Sequence, residues 1–482
     1  MHSTISKSAL FTDFYELTMA QGYWKNNMND EVVFDMFFRR QPYNGGFSVF
    51  AGIEPLLDSL EDFTFDESEI EYLRSQKIFE EGFLDYLKSF KFSGDLYSFE
   101  EGSIIFPQEP LVRIHAKLIE AQIIEGLVLN LCNFQSLIAT KTARVWLAAK
   151  KGNVMEFGLR RAQGPDGAMG ATRASYIGGA QGTSNTLAGQ AFGIPVMGTM
   201  AHSWVMSFPS ELEAFEAYAK IYPEKTIFLI DTYDTLKSGI KNAIKAGAKL
   251  VEKGYNFGVR LDSGDMSYLT SEVRKELDKA GFPQAFICVS NDLTEEIVET
   301  LVQQKAPIAS WGVGTHMVTG GSEASFTGVY KLAAKKTADG TFEPTMKFSD
   351  NPSKNTNPGI KNVFRLYDEN GMARADILAM DGETLEEGKE YRYFHTMVDY
   401  RQFSFKASKI VPMLKKRIES GKRIGEKESE AVILRKSRER MMREIETLDA
   451  SFKRILNPHI YKVSMTEKLK DLKLSFIKAN IR

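Results

Sequence analysis

Polar and charged side chains follow each of several apolar segments in the middle of the chain. The segments are NVMEFG, PVMGTMA, TIFLIDT, FGVRLDSG, AFICVSND and IASWGVGT, between Asn153 and Thr315. The groups at or just after their ends are Glu156 with Arg160 and Arg161, Thr199 with His202, Asp231, Arg260 with Asp262 and Asp265, Asn291 with Asp292, and Gly312, Gly314 and Thr315. Guanidinium groups and glycine turns bind phosphate, and carboxylates bind metal ions. The combination predicts an enzyme that handles phosphate groups.

The segment GVRLDSGD brings two carboxylates, Asp262 and Asp265, to the end of a predicted strand. Carboxylates in that position can hold a ribose diol or coordinate a magnesium ion that bridges a diphosphate. Arg260 points to the same side of the strand as Asp262, because side chains two residues apart share a face. The alternative is that Asp262 and Ser263 cap the next helix. The adjacent Arg260 favours the functional interpretation.

Two further segments offer groups for binding anions. WGVGTHMVTGG is glycine-rich after a strand, so its backbone amides can cradle a phosphate, although it is neither a Walker A nor a G-x-G-x-x-G motif. In EFGLRRAQGPDG the neighbouring Arg160 and Arg161 favour bidentate contacts with phosphate or carboxylate. The alternative for these arginines is a local ion pair with Glu156 or Asp166.

His202 follows the apolar segment PVMGTMA. A histidine in this position can be a buried core residue, a general base or a phosphate acceptor. Asp231, at the end of the next strand, can orient its imidazole as the carboxylate does in catalytic triads. The chain has no Cys-x-x-Cys or His-x-x-x-His spacing, which argues against a structural zinc site.

The elements that position these residues repeat as strand, polar tip and amphipathic helix. Consecutive units of this size form a parallel sheet, and a (β/α) barrel over residues 131–328 is the simplest arrangement. Residues 1–130 predict an α+β domain whose first helix has Thr12 as its N-cap, and hairpins within 329–390 can extend its sheet. Residues 391–482 are charge-rich and predict a helical region. The predicted fold class is α/β.

Composition limits the class of protein. The 482 residues are 43% hydrophobic and 26% charged, with a net charge of −2, so neither nucleic acid nor an anionic membrane is the expected partner. Cys132 and Cys288 lie in apolar stretches and predict buried free thiols in a reducing cytoplasm. The apolar run LIEAQIIEGLVLNLC is interrupted by Glu120 and Glu125, which indicates a core helix rather than a membrane span. We expect a cytoplasmic protein.

The same segments carry a family resemblance. TDFYELTMAQGYW, EFGLRRAQGPDGAMGATRASYIGGAQGTSN, GIPVMGTMAHSWVMSF, GVRLDSGD, WGVGTHMVTGG with GVYKL, and KFSDNPSKNTNPGIKNVFR occur in this order from about residue 9 to about residue 370. Together they resemble nicotinate phosphoribosyltransferase. The resemblance implies a type II phosphoribosyltransferase with an N-terminal α/β domain, an irregular barrel and a C-terminal extension, as a homodimer with shared active sites.

The resemblance also implies a reaction and its cofactors. Nicotinate and phosphoribosyl pyrophosphate give nicotinate mononucleotide and pyrophosphate, with Mg2+ as cofactor and with coupled ATP hydrolysis through a phosphohistidine. His202 is then the phosphate acceptor. The diphosphate leaving group needs cationic and metal stabilisation more than it needs a strong base. Asp262 and Asp265 are the carboxylates expected to bind the metal.

Substrate-binding roles follow residue by residue from the resemblance. Thr199, Tyr15 and Arg260 are expected near nicotinate, and Phe157 stacks on the pyridine ring opposite Tyr15 of the neighbouring subunit. Asp262 holds ribose hydroxyls. Arg160 and Arg161 bind phosphates or the nicotinate carboxylate, and Gly314 and Thr315 bind the 5-phosphate. Asn291 is a further substrate-binding residue.

Two alternatives to this function stay open. The sister family, nicotinamide phosphoribosyltransferase, has an acidic residue in the segment that aligns with GTSNTLAG, where it receives the amide. Here Ser184 and Asn185 occupy the segment and repel no carboxylate, which favours the acid. The other alternative is a catalytically silent family member that acts as a scaffold.

Overall fold

The computed structural model describes residues 7–349, 351, 354–398 and 400–480. The chain divides into two compact units: residues 1–137 with 325–482 form the first, and residues 138–324 form the second. Asp350, Pro352 and Ser353 of the KFSDNPSKNTNPGIKNVFR segment lie outside the described residues.

The N-terminal part of the first unit combines short helices with antiparallel strands. In chain order its elements are α1 (Phe14–Lys25), β1 (Glu31–Phe38), β2 (Ser48–Val49), α2 (Ile53–Leu60), α3 (Glu67–Ser75), α4 (Glu81–Lys88), β3 (Asp95–Ser98), β4 (Ile104–Ile105), β5 (Val112–Lys117), α5 (Leu118–Ile123) and α6 (Glu125–Ala148). Strand β5 pairs antiparallel with β1 on one side and with β3 on the other. The helix α6 continues into the second unit.

Helix α1 has a different N-cap from the predicted one. The prediction of Thr12 is wrong, because Asp13 holds that position. The Thr12 hydroxyl donates instead to Glu16 Oε2, which also accepts from the Asp13 amide at 3.3 Å. Threonine and aspartate are both good N-caps. The Glu16 carboxylate, three residues after Asp13, completes a capping box.

The second unit contains the repeated strand–helix pattern. Its elements are β6 (Asn153–Glu156), α7 (Gly164–Ile177), β7 (Gly182–Thr183), α8 (Thr186–Phe192), α9 (His202–Met206), α10 (Glu211–Ile221), β8 (Ile227–Leu229), α11 (Ile240–Val251), β9 (Gly258–Leu261), α12 (Met266–Lys279), β10 (Phe286–Asn291), α13 (Glu295–Gln303), β11 (Ser310–Val313) and α14 (Thr315–Val318).

These strands form a parallel sheet that curves into a barrel with one gap. The order is β7-β6-β11-β10-β9-β8, and the first strand in sequence, β6, pairs in parallel with the last, β11. Pairing of first and last strands is the mark of a barrel. The order ends at β7 and β8, and a parallel bridge from Thr183 to Val196 extends the β7 side. The α/β class is confirmed, and the barrel is irregular between β7 and β8.

The C-terminal part of the first unit is mostly strand. Its elements are β12 (Gly328–Lys336), β13 (Phe342–Pro344), β14 (Lys361–Tyr367), β15 (Ala373–Met380), β16 (Glu390–His395), β17 (Gln402–Lys406), β18 (Lys409–Pro412), β19 (Lys415–Glu419), β20 (Lys422–Arg423), α15 (Glu430–Glu446), β21 (Val463–Met465) and α16 (Glu467–Asn480). The hairpin β12-β13 joins β1 in the sheet β13-β12-β1-β5-β3-β19-β20. The hairpin β14-β15 belongs to a separate sheet, β17-β16-β21-β15-β14-β18.

The prediction of a helical region over residues 391–482 is wrong for its first part. The segment KIVPMLKKRIESGKR forms β18, β19 and β20, and helix begins only at Glu430. Pro412 lacks the amide proton that a helix interior requires. Gly421 has φ +76° in the turn after β19, and an added Cβ would lie 2.5 Å from the Phe92 carbonyl oxygen. Strand β19 is fixed by antiparallel pairing with the distant β3, which local composition does not reveal.

Among the described residues, one helical stretch has the length and apolar composition of a membrane span. It is Leu118–Ala148, and its most apolar window is 61% buried inside the molecule. Burial on this scale is expected of a helix in a protein core.

Candidate active site

A cleft of about 650 Å³ opens at the C-terminal ends of the barrel strands. Parallel strands present these ends on one face, where barrel enzymes bind their substrates. Its lining residues, all from the second unit, are Phe157, Arg160, Arg161, Ser184, Gly198, Thr199, Met200, Ala201, His202, Arg260, Asp262, Ser290, Asn291, Asp292, Gly312, Gly314 and Thr315. Most of the predicted site residues are therefore brought together.

Phe157 lies between β6 and the turn that follows it. Its amide donates to the Val313 carbonyl at 2.8 Å, which extends the β6–β11 pairing by one bond. Its ring packs over Gly312, where an added Cβ would come within 2.6 Å of the ring carbon Cδ2. Gly312 therefore provides the space in which this aromatic ring lies in the cleft.

Arg260 and Thr199 contact each other in the cleft wall. The Arg260 guanidinium donates through Nη1 to the Thr199 hydroxyl, while its Nε is buried without a hydrogen-bond partner among the described residues. Arg260 lies on β9, and Thr199 lies in the segment that leads into α9. Since guanidinium donors bind carboxylate and phosphate oxygens, the pair suits an anionic group.

His202 is the first residue of α9 and is partly exposed in the cleft. Its Nδ1 lies 3.1 Å from Thr232 Oγ1, and its Nε2 lies 3.9 Å from Asp262 Oδ2. The prediction that Asp231 orients the imidazole is not what this structure shows, because Thr232 holds Nδ1 and Asp262 is the carboxylate that faces Nε2. Thr232, which the prediction missed, directly follows Asp231 in FLIDTYDT. The observed partner of the imidazole therefore lies one residue after the predicted one, at the same strand end.

Asp231 supports Asp262 rather than the histidine. Asp231 Oδ2 accepts hydrogen bonds from the Asp262 amide at 2.8 Å and from Ser263 Oγ at 2.7 Å. The Asp262 carboxylate in turn accepts from Ser290 Oγ through Oδ1, which leaves Oδ2 towards His202. Ser290 is a second residue that sequence reasoning missed; its signal is a polar side chain at the end of the otherwise apolar β10. Asp231 itself does not line the cleft.

The helix-capping alternative applies to Asp265, not to Asp262. Asp265 is the N-cap of α12, where its Oδ1 accepts from the Tyr268 amide at 3.0 Å. It does not line the cleft, whereas Asp262 does. Of the two carboxylates predicted to bind a metal, Asp262 lines the cleft and Asp265 caps a helix.

Arg160 and Arg161 are exposed on a short 3-10 turn that lines the cleft. The Glu156 carboxylate, one alternative partner, is fully occupied by uncharged donors: the Gly158 amide, Thr172 Oγ1 and Thr183 Oγ1. Glu156 is therefore not shown paired with either guanidinium, and both arginines line the cleft, as an anion-binding role requires.

Ser184 and Asn185, the predicted selectivity pair, have different roles. Ser184 lines the cleft, and its amide donates to the Glu156 carbonyl at 2.9 Å. Asn185 is 2% exposed and is the N-cap of α8, where its Oδ1 accepts from the Ala188 amide at 3.2 Å. Of the two, Ser184 is the one that lines the cleft.

Tyr15 belongs to the first unit. It lies on α1 and is 49% exposed, beside the equally exposed Phe14. Partial burial, followed by the nearby carboxylates of Glu125 and Glu16, raises the pKa of the Tyr15 hydroxyl to about 12. The phenol is therefore neutral at physiological pH, so its ring offers an uncharged stacking surface.

The fold and the cleft define a barrel enzyme that binds anionic, phosphate-bearing substrates. Family models of nicotinate phosphoribosyltransferase match the chain throughout: the N-terminal domain at residues 10–133, the family model at 153–379 and the C-terminal domain at 360–473. The nicotinate phosphoribosyltransferase of Bacillus subtilis is 41% identical over 389 residues, which cover 80% of this chain and 79% of the relative.

Two human comparisons cover nearly the whole chain. The human enzyme named nicotinate phosphoribosyltransferase is 32% identical over an alignment of 523 positions with gaps, which covers 96% of this chain and 95% of the relative. The crystal structure of human nicotinic acid phosphoribosyltransferase superposes with a TM-score of 0.83 at 29% identity, over 96% of this chain and 99% of that one. The chain belongs to the nicotinate phosphoribosyltransferase family.

Proposed function

We propose that this chain joins nicotinate to phosphoribosyl pyrophosphate, giving nicotinate mononucleotide and pyrophosphate. Membership of the family supports the reaction. The observation that supports roles for individual residues is that they line one cleft. In that cleft an aromatic ring (Phe157), an anion-binding guanidinium (Arg260) and a carboxylate held at a strand end (Asp262) lie together. These are the groups that an aromatic acid and a ribose diphosphate require.

The nicotinate end of the cleft is formed around Phe157. Its ring stacks on the pyridine, with Tyr15 of the partner subunit on the opposite face of a homodimer with shared sites. Arg260, held by Thr199, binds the carboxylate or positions the ring beside it. Because the Arg260 guanidinium already donates one hydrogen bond to Thr199, its orientation is set before the ligand binds.

The phosphoribosyl end is formed by the other strand ends. Asp262 accepts hydrogen bonds from the ribose hydroxyls, and Gly314 with Thr315 binds the 5-phosphate through backbone and hydroxyl donors. Arg160, Arg161 and Asn291 contact the remaining phosphate oxygens. As the anomeric bond breaks, positive charge grows at the ribose carbon while negative charge grows on the diphosphate, and these donors stabilise the diphosphate.

The carboxylate of Asp262 fits a magnesium ion. It offers a hard oxygen, Oδ2, on the cleft side while Ser290 holds Oδ1. Magnesium is commonly bound by one or two carboxylates together with substrate phosphates, so a single protein carboxylate suffices. The ion would neutralise charge on the leaving diphosphate. Asp265, which caps α12, is not part of this proposed site.

ATP hydrolysis is coupled to the reaction through His202. The γ-phosphoryl group moves from ATP to an imidazole nitrogen, so that a P–O bond breaks, a P–N bond forms and ADP leaves. Water later cleaves the P–N bond. The exposed imidazole beside Asp262 supports this role, because a phosphate there adds about two negative charges next to the proposed magnesium site. Tighter binding of the cation and of its diphosphate ligand would follow.

A side-by-side assay tests the reaction. Mononucleotide formation is measured from phosphoribosyl pyrophosphate with nicotinate or nicotinamide, each with and without ATP. We expect turnover of nicotinate that rises with ATP. Preference for nicotinamide would assign the chain to the sister activity, and no turnover with either base would support the scaffold alternative.

The His202→Asn variant tests the ATP coupling. We expect it to lose ATP stimulation and ADP release while it keeps the turnover that wild type shows without ATP, since asparagine cannot form the P–N bond. His459→Asn, which changes an exposed histidine of the first unit, is the control and should behave as wild type. Full ATP-stimulated turnover in His202→Asn would contradict the phosphohistidine.

A further inference from the structure

The carboxylate of Glu156 lies at the centre of a buried hydrogen-bond network. It is 1% exposed and accepts from three uncharged donors on different parts of the barrel. The Gly158 amide donates to Oε1, whereas Thr172 Oγ1 at 2.9 Å and Thr183 Oγ1 at 2.5 Å donate to Oε2. Three donors directed at one carboxyl group match its ionised form, which only accepts.

Both threonine hydroxyls are used twice. The Asn185 amide donates to Thr183 Oγ1 at 2.9 Å, and Asn185 Nδ2 donates to Thr172 Oγ1 at 3.2 Å. Each hydroxyl therefore gives its single proton to Glu156 and accepts one from Asn185. Because the amide N–H groups can only donate, the direction of each bond in the network is fixed, and a buried network of this kind is rigid.

The network surrounds two residues of the cleft wall. Phe157 lies between Glu156 and Gly158, and Ser184 lies between Thr183 and Asn185. The main chain adds a direct link, since the Ser184 amide donates to the Glu156 carbonyl at 2.9 Å. The segments that carry the aromatic ring and the serine are thus connected both through the main chain and through the buried Glu156 side chain.

We infer that Glu156 is a positioning residue of the nicotinate pocket, a role that rests on the proposed function. It does not touch the substrate. Its ionised carboxylate sets the separation between the stacking ring of Phe157 and the wall residue Ser184, through Thr172 and Thr183. Substitution of a group that only stabilised the fold would raise the KM values for both substrates and lower stability. Substitution of a positioning residue should raise the KM for nicotinate selectively, so the two roles differ in a measurable way.

The two threonines provide the test, because each has a matched pair of substitutions. Thr172→Val and Thr183→Val remove the hydroxyl at nearly constant volume, whereas Thr172→Ser and Thr183→Ser keep it. We expect the valine variants to raise the KM for nicotinate about tenfold, because a displaced Phe157 ring loses stacking with the pyridine, with the KM for phosphoribosyl pyrophosphate changed less than twofold. The serine variants should stay near wild type. Glu156→Gln, whose amide offers one acceptor instead of two, should raise the nicotinate KM further.

Melting temperature is recorded for every variant. Equal effects in the valine and serine variants, or a parallel rise of both KM values with a fall in melting temperature, would overturn the positioning role. Wild-type turnover of nicotinate with unaffected valine variants would overturn that role alone. Absence of wild-type turnover would overturn the role and the proposed function together.

Discussion

At the scale of single residues, Ser184 is where charge should decide which base the enzyme accepts. It lies in the cleft wall, while its neighbour Asn185 is buried as a helix cap. We expect Ser184→Asp to raise the KM for nicotinate by tenfold or more, on the order of 1.4 kcal/mol, because two carboxylates then face each other in a confined site. The same carboxylate can accept a hydrogen bond from nicotinamide, whose relative use should rise. Steady-state kinetics with both bases measures this.

Ser184→Asn separates charge from size in that experiment. Asparagine has nearly the volume of aspartate but no charge, so its nicotinate KM should stay much closer to wild type. Equal losses in the two variants would show that space, rather than charge, sets the selectivity.

Residue types at strand ends were predictable from the sequence, but their partners were not. His202, Arg260 and Asp262 line the cleft as the spacing indicates, since parallel strands end on one face. Which hydroxyl meets His202 Nδ1, and which aspartate caps α12, depends on turn geometry of one or two residues. That geometry is decided by competing hydrogen bonds, all of which aspartate, serine and threonine can form.

At the scale of elements, helices α6 and α13 are joined by a buried ion cluster. Glu295, 0% exposed at the start of α13, accepts from Lys141 and from Arg144 Nε, the latter at 2.7 Å. Burial alone would raise the pKa of this carboxyl, but the two cations outweigh it and hold the pKa of Glu295 below its ordinary value. The cluster therefore stabilises the fold above the pKa of the unfolded chain and loses its effect as pH falls through the folded value.

We expect Glu295→Gln to lower the free energy of unfolding by about 3–5 kcal/mol at pH 7, because it leaves two buried cations without their carboxylate. The loss relative to wild type should begin to shrink below about pH 4.5, where the unfolded chain takes up the proton, and should vanish only below the lowered pKa of folded Glu295. Urea unfolding at pH 7 and at pH 4 measures both. Glu296→Gln, an exposed neighbour in the same helical turn, should change stability by no more than about 0.5 kcal/mol. Equal effects of the two substitutions would contradict the argument.

The barrel elements and the C-terminal strands differ in how far the sequence revealed them. Barrel strands such as FICVS are continuous apolar runs, because both faces are covered, and they stand out from the amphipathic helices between them. Strand β19, KKRIE, has one buried residue, and it owes its conformation to pairing with β3, more than 300 residues earlier. Long-range pairing of this kind overrides local propensity, so the helical prediction for that segment failed.

At the scale of the whole molecule, α1 carries a buried acid next to a residue proposed to serve the partner subunit's site. Glu16, 0% exposed, adjoins Tyr15, and its Oε1 is buried without a hydrogen-bond partner among the described residues. Burial, opposed by the Thr12 hydrogen bond and reinforced by the charge of Glu125, raises the pKa of Glu16 from 4.5 to about 7. The folded state therefore binds this proton more tightly than the unfolded state does.

The contribution of Glu16 to stability is complete below pH 4.5 and is lost as pH rises through about 7, which amounts to at most about 3 kcal/mol at pH 8. Glu16→Gln keeps an acceptor for the Thr12 hydroxyl and cannot ionise. We therefore expect this variant to melt above wild type at pH 8 and near wild type at pH 5, while Glu67→Gln, at an exposed position early in α3, should match wild type at both. Thermal unfolding at the two pH values measures the difference.

An equal shift at both pH values would assign the effect to packing and exclude the buried charge. A stabilised Glu16→Gln that also lost turnover would indicate that the buried acid serves activity at a cost in stability, as functional sites commonly do.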